Sequence, residues 1–119
     1  MKKTLVFGAS LNPHRYSNLA IRRLVQSGIE TVAFGLHKGE VEGVTIKNNL
    51  EEFRDLHTIS LYMNPHTQKD FYAELIRLAP KRIIFNPGAE NPELYRLLKQ
   101  EGIQAEAACT LVLLATGAY

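Results

Sequence analysis

A single cysteine, Cys109, stands in this chain of 119 residues, which excludes an internal disulfide and any metal cluster built on thiolates. Its four histidines, His14, His37, His57 and His66, lack His-x-x-x-His or any other ligand spacing, so no structural metal is expected. No apolar run approaches the ~20 residues that a membrane-spanning helix needs. The opening Met1-Lys2-Lys3-Thr4-Leu5-Val6-Phe7-Gly8 begins as a signal peptide does, but its apolar stretch is short and no small-residue cleavage site follows. It reads as a first strand, and a cytoplasmic location is the expectation. The net charge of +2 is too small to argue for nucleic acid. There is no linker, repeat or low-complexity tract, and the length suits one domain with one core.

Charge is nevertheless unevenly spread. Residues 1–38 carry Lys2, Lys3, Arg15, Arg22, Arg23 and Lys38 against Glu30 alone, while the remainder is net acidic. A basic first third suits a fold whose first strand–helix turn meets phosphate.

Proline is scarce too, but its placement is informative. Four of the five prolines follow asparagine. Asn12-Pro13, Asn64-Pro65 and Asn86-Pro87 close apolar, strand-like runs, and Asn91-Pro92 opens the helix that follows. Proline cannot continue an interior strand and suits a first helical turn, and the residue before it is pushed to extended backbone. Asparagine caps the orphan N–H groups of a helix start. The chain thus makes one kind of strand-to-helix corner repeatedly. In an open parallel sheet such corners gather outside the carboxyl ends of the strands, where ligands bind.

Strand and helix patterns alternate from end to end, which predicts an α/β domain with a doubly wound parallel sheet of five to six strands and helices on both faces. Strands are expected at about 3–8, 31–34, 44–46, 58–62, 82–85 and 103–107. Helices are expected at about 16–27, 66–78, 92–101 and 109–116. Leu19, Ala20, Leu24 and Val25 form the expected inner stripe of the first helix, and Gly28 stops it. Gly35, Gly39 and Gly43 read as a loop, and Asn48–Phe53 as a short capped helix. Phe71, Leu75 and Leu78 stack as core. The final segment is apolar nearly all round, so it is expected to be buried within the domain or against a second copy, which makes a homodimer a candidate state.

The most specific stretch is Val6-Phe7-Gly8-Ala9-Ser10-Leu11-Asn12-Pro13-His14-Arg15-Tyr16-Ser17. It has the strand–turn–helix context of a dinucleotide fingerprint with only one of the three glycines, Ser10 standing where backbone would approach a pyrophosphate. Ser10 and Ser17 offer hydroxyls, Arg15 a forked phosphate donor, and the helix start free N–H groups.

Here the sequence resembles the small stand-alone CoA-binding proteins, whose Rossmann-like fold matches the N-terminal domain of the succinyl-CoA synthetase alpha subunit. The shared features run in order along nearly the whole chain. They are Gly-Ala-Ser-x-Asn-Pro-x-Arg-x-Ser after the first strand, Gly28, the turn Gly39…Gly43-Val44, Asn86-Pro87-Gly88-Ala89-Glu90-Asn91, and the lone Cys109. The resemblance implies that Gly8, Ala9, Ser10 and Asn12 wrap the diphosphate of CoA or an acyl-CoA, with Arg15, Tyr16 and Ser17 facing the phosphates. Where family members often show Val-Asn-Pro-Lys near the adenosine, this chain has Phe34-Gly35-Leu36-His37-Lys38, so His37 and Lys38 alone carry over. Asn64, Pro65, Asn86, Pro87 and Gly88 would border the pantetheine path. Ala108 takes the place, before Cys109, where many members have a basic residue. The synthetase's ligase part, with its phosphorylated histidine, has no counterpart in these residues, so acyl-CoA synthesis is not implied.

The expected function is therefore a non-catalytic carrier, sensor or regulatory module for CoA or an acyl-CoA, without catalytic residues or metal. An NAD(P)-dependent oxidoreductase is the competing reading, opposed by the missing glycines and by the lack of an acid after the second strand to hold a ribose. A regulatory interaction protein that keeps the fold and has lost the ligand is the third. Cys109 reads as a reactive helix-start thiol or a small buried apolar residue. His14 and His66 follow Asn-Pro corners without an acidic partner nearby in sequence.

Overall fold

The computed structural model describes residues 2–119. Its frame is a seven-stranded sheet of Thr4–Phe7 (β1), Thr31–Phe34 (β2), Gly39–Val41 (β3), Val44–Lys47 (β4), Thr58–Leu61 (β5), Arg82–Phe85 (β6) and Gln104–Ala107 (β7). The order across the sheet is β3-β4-β2-β1-β5-β6-β7. Every pairing is parallel except that of β3 with β4. Helix Tyr16–Gln26 (α1) packs with Thr110–Ala115 (α5) on one face. The segments Pro65–Gln68 (α2), Tyr72–Arg77 (α3) and Pro92–Gln100 (α4) cover the other. The fold is thus a doubly wound, Rossmann-like α/β domain.

Strands covered on both faces need apolar side chains on both, and β1, β5 and β6 are buried throughout. Alternation then divides the core. Leu5, Phe7, Ile59, Leu61, Ile83 and Phe85 point toward the α3–α4 side. Val6, Ala33 and Ile46 join Ile21 and Leu24 of α1 on the opposite side.

Four local expectations are corrected. The sheet gains a strand because Gly39–Val41 is a hairpin arm and not a loop. Val41 pairs with Val44 across Glu42-Gly43, and both turn residues have positive φ, 51° and 79°, the backbone that a two-residue hairpin requires. Asn48–Phe53 is not a helix. Asn49 Oδ1 accepts from Glu51 N at 3.3 Å in a local asparagine turn, while Leu50 and Phe53 insert into the core. The expected helix at 66–78 is divided by a 3₁₀ turn at Lys69–Phe71, where the Phe71 ring packs edge-on to Phe7 and Phe34 with centroids 5.3 and 5.7 Å away. In α1 the buried residues are Ser17, Asn18, Ala20, Ile21 and Leu24, with Leu19 and Val25 only partly covered. The inner stripe is therefore rotated from the expected one, and it takes in two polar residues, of which Asn18 is held by hydrogen bonds to Ser10 O and from Arg22. In α5, Thr110 is buried and Leu114 packs on the α1 cluster, while Val112 faces solvent.

No helix of the described residues is long and apolar enough to cross a membrane.

Candidate functional site

The chain direction across the sheet reverses at β1 and β5: from β1 it runs outward through β2, then returns to β5 on β1's other side. The loops at the carboxyl ends of these strands diverge there and leave a crevice. A cavity of about 800 Å³ occupies it, within the ~300–1,000 Å³ range of small-molecule sites. Four corners line it: Gly8–Asn12 with Arg15–Ser17, Phe34–His37, Tyr62–Asn64 with Thr67 and Phe71, and Pro87–Ala89.

At the first corner, the N–H groups of Gly8 and Ala9 both donate to Phe34 O, at 2.9 and 2.8 Å. They hold β1 to β2 and are spent. Ser10 Oγ accepts from Asn12 N at 3.1 Å, and Asn12 Oδ1 from His14 N at 2.9 Å. By contrast, the N–H groups of Ser10, Leu11, Tyr16 and Ser17 have no acceptor within the described residues. The start of α1 carries no side-chain cap and no acid in its first turn. An uncapped helix start with free N–H groups and the positive end of the helix dipole attracts an anion.

Arg15, at the cap position, is exposed, and its guanidinium makes neither ion pair nor hydrogen bond among the described residues. No acidic residue lines the cavity. Of the other cations in the basic first third, Lys2 donates to Tyr119 O at 2.6 Å, Lys3 lies 3.9 Å from Glu30, and Arg23 donates to Gln26 at 3.1 Å, while Lys38 is exposed and outside the lining. The concentration of cations seen in sequence thus resolves into one free guanidinium at the crevice.

A second layer fixes the corner. Asn18, buried in α1, donates to Ser10 O at 2.9 Å and accepts from Arg22 Nε at 2.9 Å, and Arg22 reaches Pro13 O at 3.1 Å. Sequence reasoning missed both residues. An i, i+4 Asn-Arg pair on a helix preceded by a turn is the signal that points to them.

The opposite wall is largely apolar: Phe34, Met63, Phe71 and Ala89, with Tyr62. The Tyr62 hydroxyl is turned away, beside the hydroxyls of Ser60 and Thr110, which bond each other at 2.7 Å and leave the phenol without a partner. Burial pushes its pKa up to about 12. At the rim, Leu11, Tyr16 and Leu36 are 44%, 73% and 82% exposed. Among the described residues, three of the four exposed large hydrophobic side chains therefore sit around one cavity, where a ligand would cover them.

Of the residues singled out in sequence, Gly8, Ala9, Ser10, Asn12, Arg15, Tyr16, Ser17, His37, Asn64, Pro87 and Gly88 line the cavity. Lys38 and Pro65 do not. Asn86 lies beneath it, 1% exposed, its amide donating to Ser60 Oγ and Leu61 O at 3.0 Å each and accepting from Thr110 N at 2.8 Å. Asn64 caps α2 by accepting from Thr67 N at 2.9 Å. His14, His66 and the partly buried Cys109 are outside the lining. Among the described residues no cluster of metal-ligating side chains occurs.

The donor set at α1, the unpaired Arg15 and the apolar far wall together suit an elongated ligand with phosphate at one end and a less polar arm at the other. Comparison with known proteins agrees with that chemistry. The family model described as "CoA binding domain" matches residues 2–115. A crystal structure of an uncharacterized protein is 44% identical and superposes with a TM-score of 0.96, over 100% of this chain and 98% of the other. A conserved hypothetical protein from Pyrococcus furiosus is 27% identical, with a TM-score of 0.82 over 94% of this chain and 98% of that one. A protein from Thermus thermophilus, 21% identical with a TM-score of 0.88 over 99% and 90%, shares the fold. No curated protein matches the sequence. With the family model spanning nearly its whole length, the chain belongs to the CoA-binding domain family.

Proposed function

We propose that this protein binds CoA or an acyl-CoA in the crevice and acts as a carrier, sensor or regulatory module rather than as an enzyme. The observation that carries this reading is the pairing of four free backbone donors and one unpaired guanidinium at one end of an acid-free cavity. The diphosphate would lie at Ser10, Leu11, Arg15, Tyr16 and Ser17, with Gly8, Ala9 and Asn12 shaping the turn around it. The adenosine would sit toward Leu36 and His37, Lys38 being near in sequence. The pantetheine arm would run between the corners of Asn64-Pro65 and of Pro87-Gly88, with Asn86 supporting the latter from below. CoA brings phosphate charge for the helix start and an amide-bearing arm for the apolar wall; no bond-making step is assigned to any residue. The titratable groups of the lining, Arg15, Tyr16, His37 and Tyr62, do not pair a nucleophile with a base.

Thermal unfolding with CoA, acetyl-CoA, NAD and NADP tests the reading, since a ligand selective for the native state raises its stability. CoA species are expected to raise the Tm and the nicotinamide nucleotides to leave it unchanged. In Arg15→Ala, CoA affinity should fall about tenfold, the scale of one lost charge-assisted contact. Stabilisation by NADP alone would favour an oxidoreductase, and no shift with any of the four would favour a protein that keeps the fold without the ligand.

A further inference from the structure

Beneath the crevice a buried amide network joins two of its walls, and its centre is Gln68. This side chain is 0% exposed, unusual for a glutamine, and all its principal hydrogen-bonding directions are used. Its Nε2 donates to Met63 O at 2.7 Å and to Ala89 O at 2.8 Å. Its Oε1 accepts from Asn91 Nδ2 at 2.8 Å. Asn91, 5% exposed, also donates to the Tyr72 hydroxyl at 2.8 Å and caps α4 by accepting from Leu94 N at 3.3 Å. Tyr72 in turn donates to Glu93 at 2.9 Å.

Met63 and Ala89 belong to different corners, after β5 and after β6, and both line the cavity. One NH₂ group therefore clamps two loop carbonyls from opposite sides of the crevice floor. Backbone carbonyls repel each other, so the spacing of the two corners depends on the donor between them. An apolar residue in its place leaves both acceptors without this donor, the Ala89 carbonyl in a buried setting where that costs more than losing an ordinary hydrogen bond.

We propose that Gln68, held by Asn91, is a positioning residue that sets the width of the channel between the Met63 and Ala89 corners and so selects for the arm of the ligand that threads it. It does not touch the phosphate end, which is built on α1. This rests on the assignment of CoA to the crevice, and deepens it: recognition divides into a charge-reading end at Arg15 and a width-reading end governed by Gln68.

The division is measurable by titrating two probes, CoA and its nucleotide half, 3′-phosphoadenosine 5′-diphosphate, into wild type and Gln68→Met, which keeps the length and removes the polar atoms. CoA affinity is expected to fall about tenfold, with the nucleotide half bound within about twofold of wild type. A general loosening of the fold would weaken both probes equally, and that outcome, or unchanged CoA binding, overturns the proposal. If Gln68→Met does not fold, Asn91→Ser keeps a cap oxygen for α4 while removing the donor to Gln68, and it must show the same split with a smaller loss. If wild type binds neither probe, the assignment of the crevice fails and the role of Gln68 fails with it. Binding by wild type with no split in either variant removes Gln68 alone.

Discussion

A methyl group on Gly8 would stand 2.4 Å from Tyr62 O, and one on Gly35 2.4 Å from Ala9 O. Gly8 also has φ of 99°, backbone that side chains rarely adopt. These glycines are thus required by the approach of three strand ends to one another before any ligand arrives. Gly8→Ala should lower stability by about 2–3 kcal/mol in urea unfolding; wild-type stability would show that the β1–β5 approach is softer than its geometry implies. Tyr62 gives a second residue-level expectation. Its phenol is held neutral by burial, with a pKa pushed up to about 12 against about 10 in an unfolded chain. Between these values the unfolded chain loses the proton first, so stability falls as pH rises from about 10 toward about 12. Tyr62→Phe should show a shallower alkaline loss than wild type, and an identical pH profile would mean that the phenol is not the group responsible.

The elements show where sequence sufficed. Apolar runs ending at Asn-Pro fixed the main strands and their corners, because proline chemistry acts within a few residues of itself. The same chemistry located Gly8–Ser17. What escaped notice depends on distant partners. The β3–β4 hairpin turns on Glu42-Gly43 and lacks the Asn-Gly or Asp-Gly signature. The break at Lys69–Phe71 accompanies a ring packed against Phe7 and Phe34, and no local residue announces it. The buried polar residues Asn18, Gln68 and Asn86 resemble surface residues until their acceptors are in place. They fix the site, so its supports were less legible than its lining. One element carries a correctable strain: just past α3 and its cap residue Leu78, Ala79 has φ of 47°, the left-handed position that helix ends reserve for glycine. Ala79→Gly should raise stability by about 1 kcal/mol, read as a higher urea midpoint. A lowered midpoint would show that the lost side chain outweighs the relieved backbone.

At the scale of the whole molecule, the two ends of the sheet are built differently. At the amino ends of the strands, Arg82 is buried and bonded to Thr58, Glu106 and Tyr119, with its guanidinium 4.6 Å from the Tyr119 ring centre. Its hydrogen bonds are met within the chain. At the carboxyl ends, donors at α1, the Arg15 guanidinium and the apolar rim are unmet. The proposed ligand therefore belongs at the second pole, where complementary groups are left open, and not beside Arg82, whose partners lie within the chain. Amide chemical-shift mapping in a ¹⁵N-labelled sample titrated with CoA tests this most directly. The largest shifts should fall on Ser10, Leu11, Tyr16 and Ser17, then on Met63 and Ala89, with Lys81, Arg82 and Gln104 at the far pole unmoved. Saturating CoA that leaves the first four amides unchanged, or that moves the far pole instead, would contradict it.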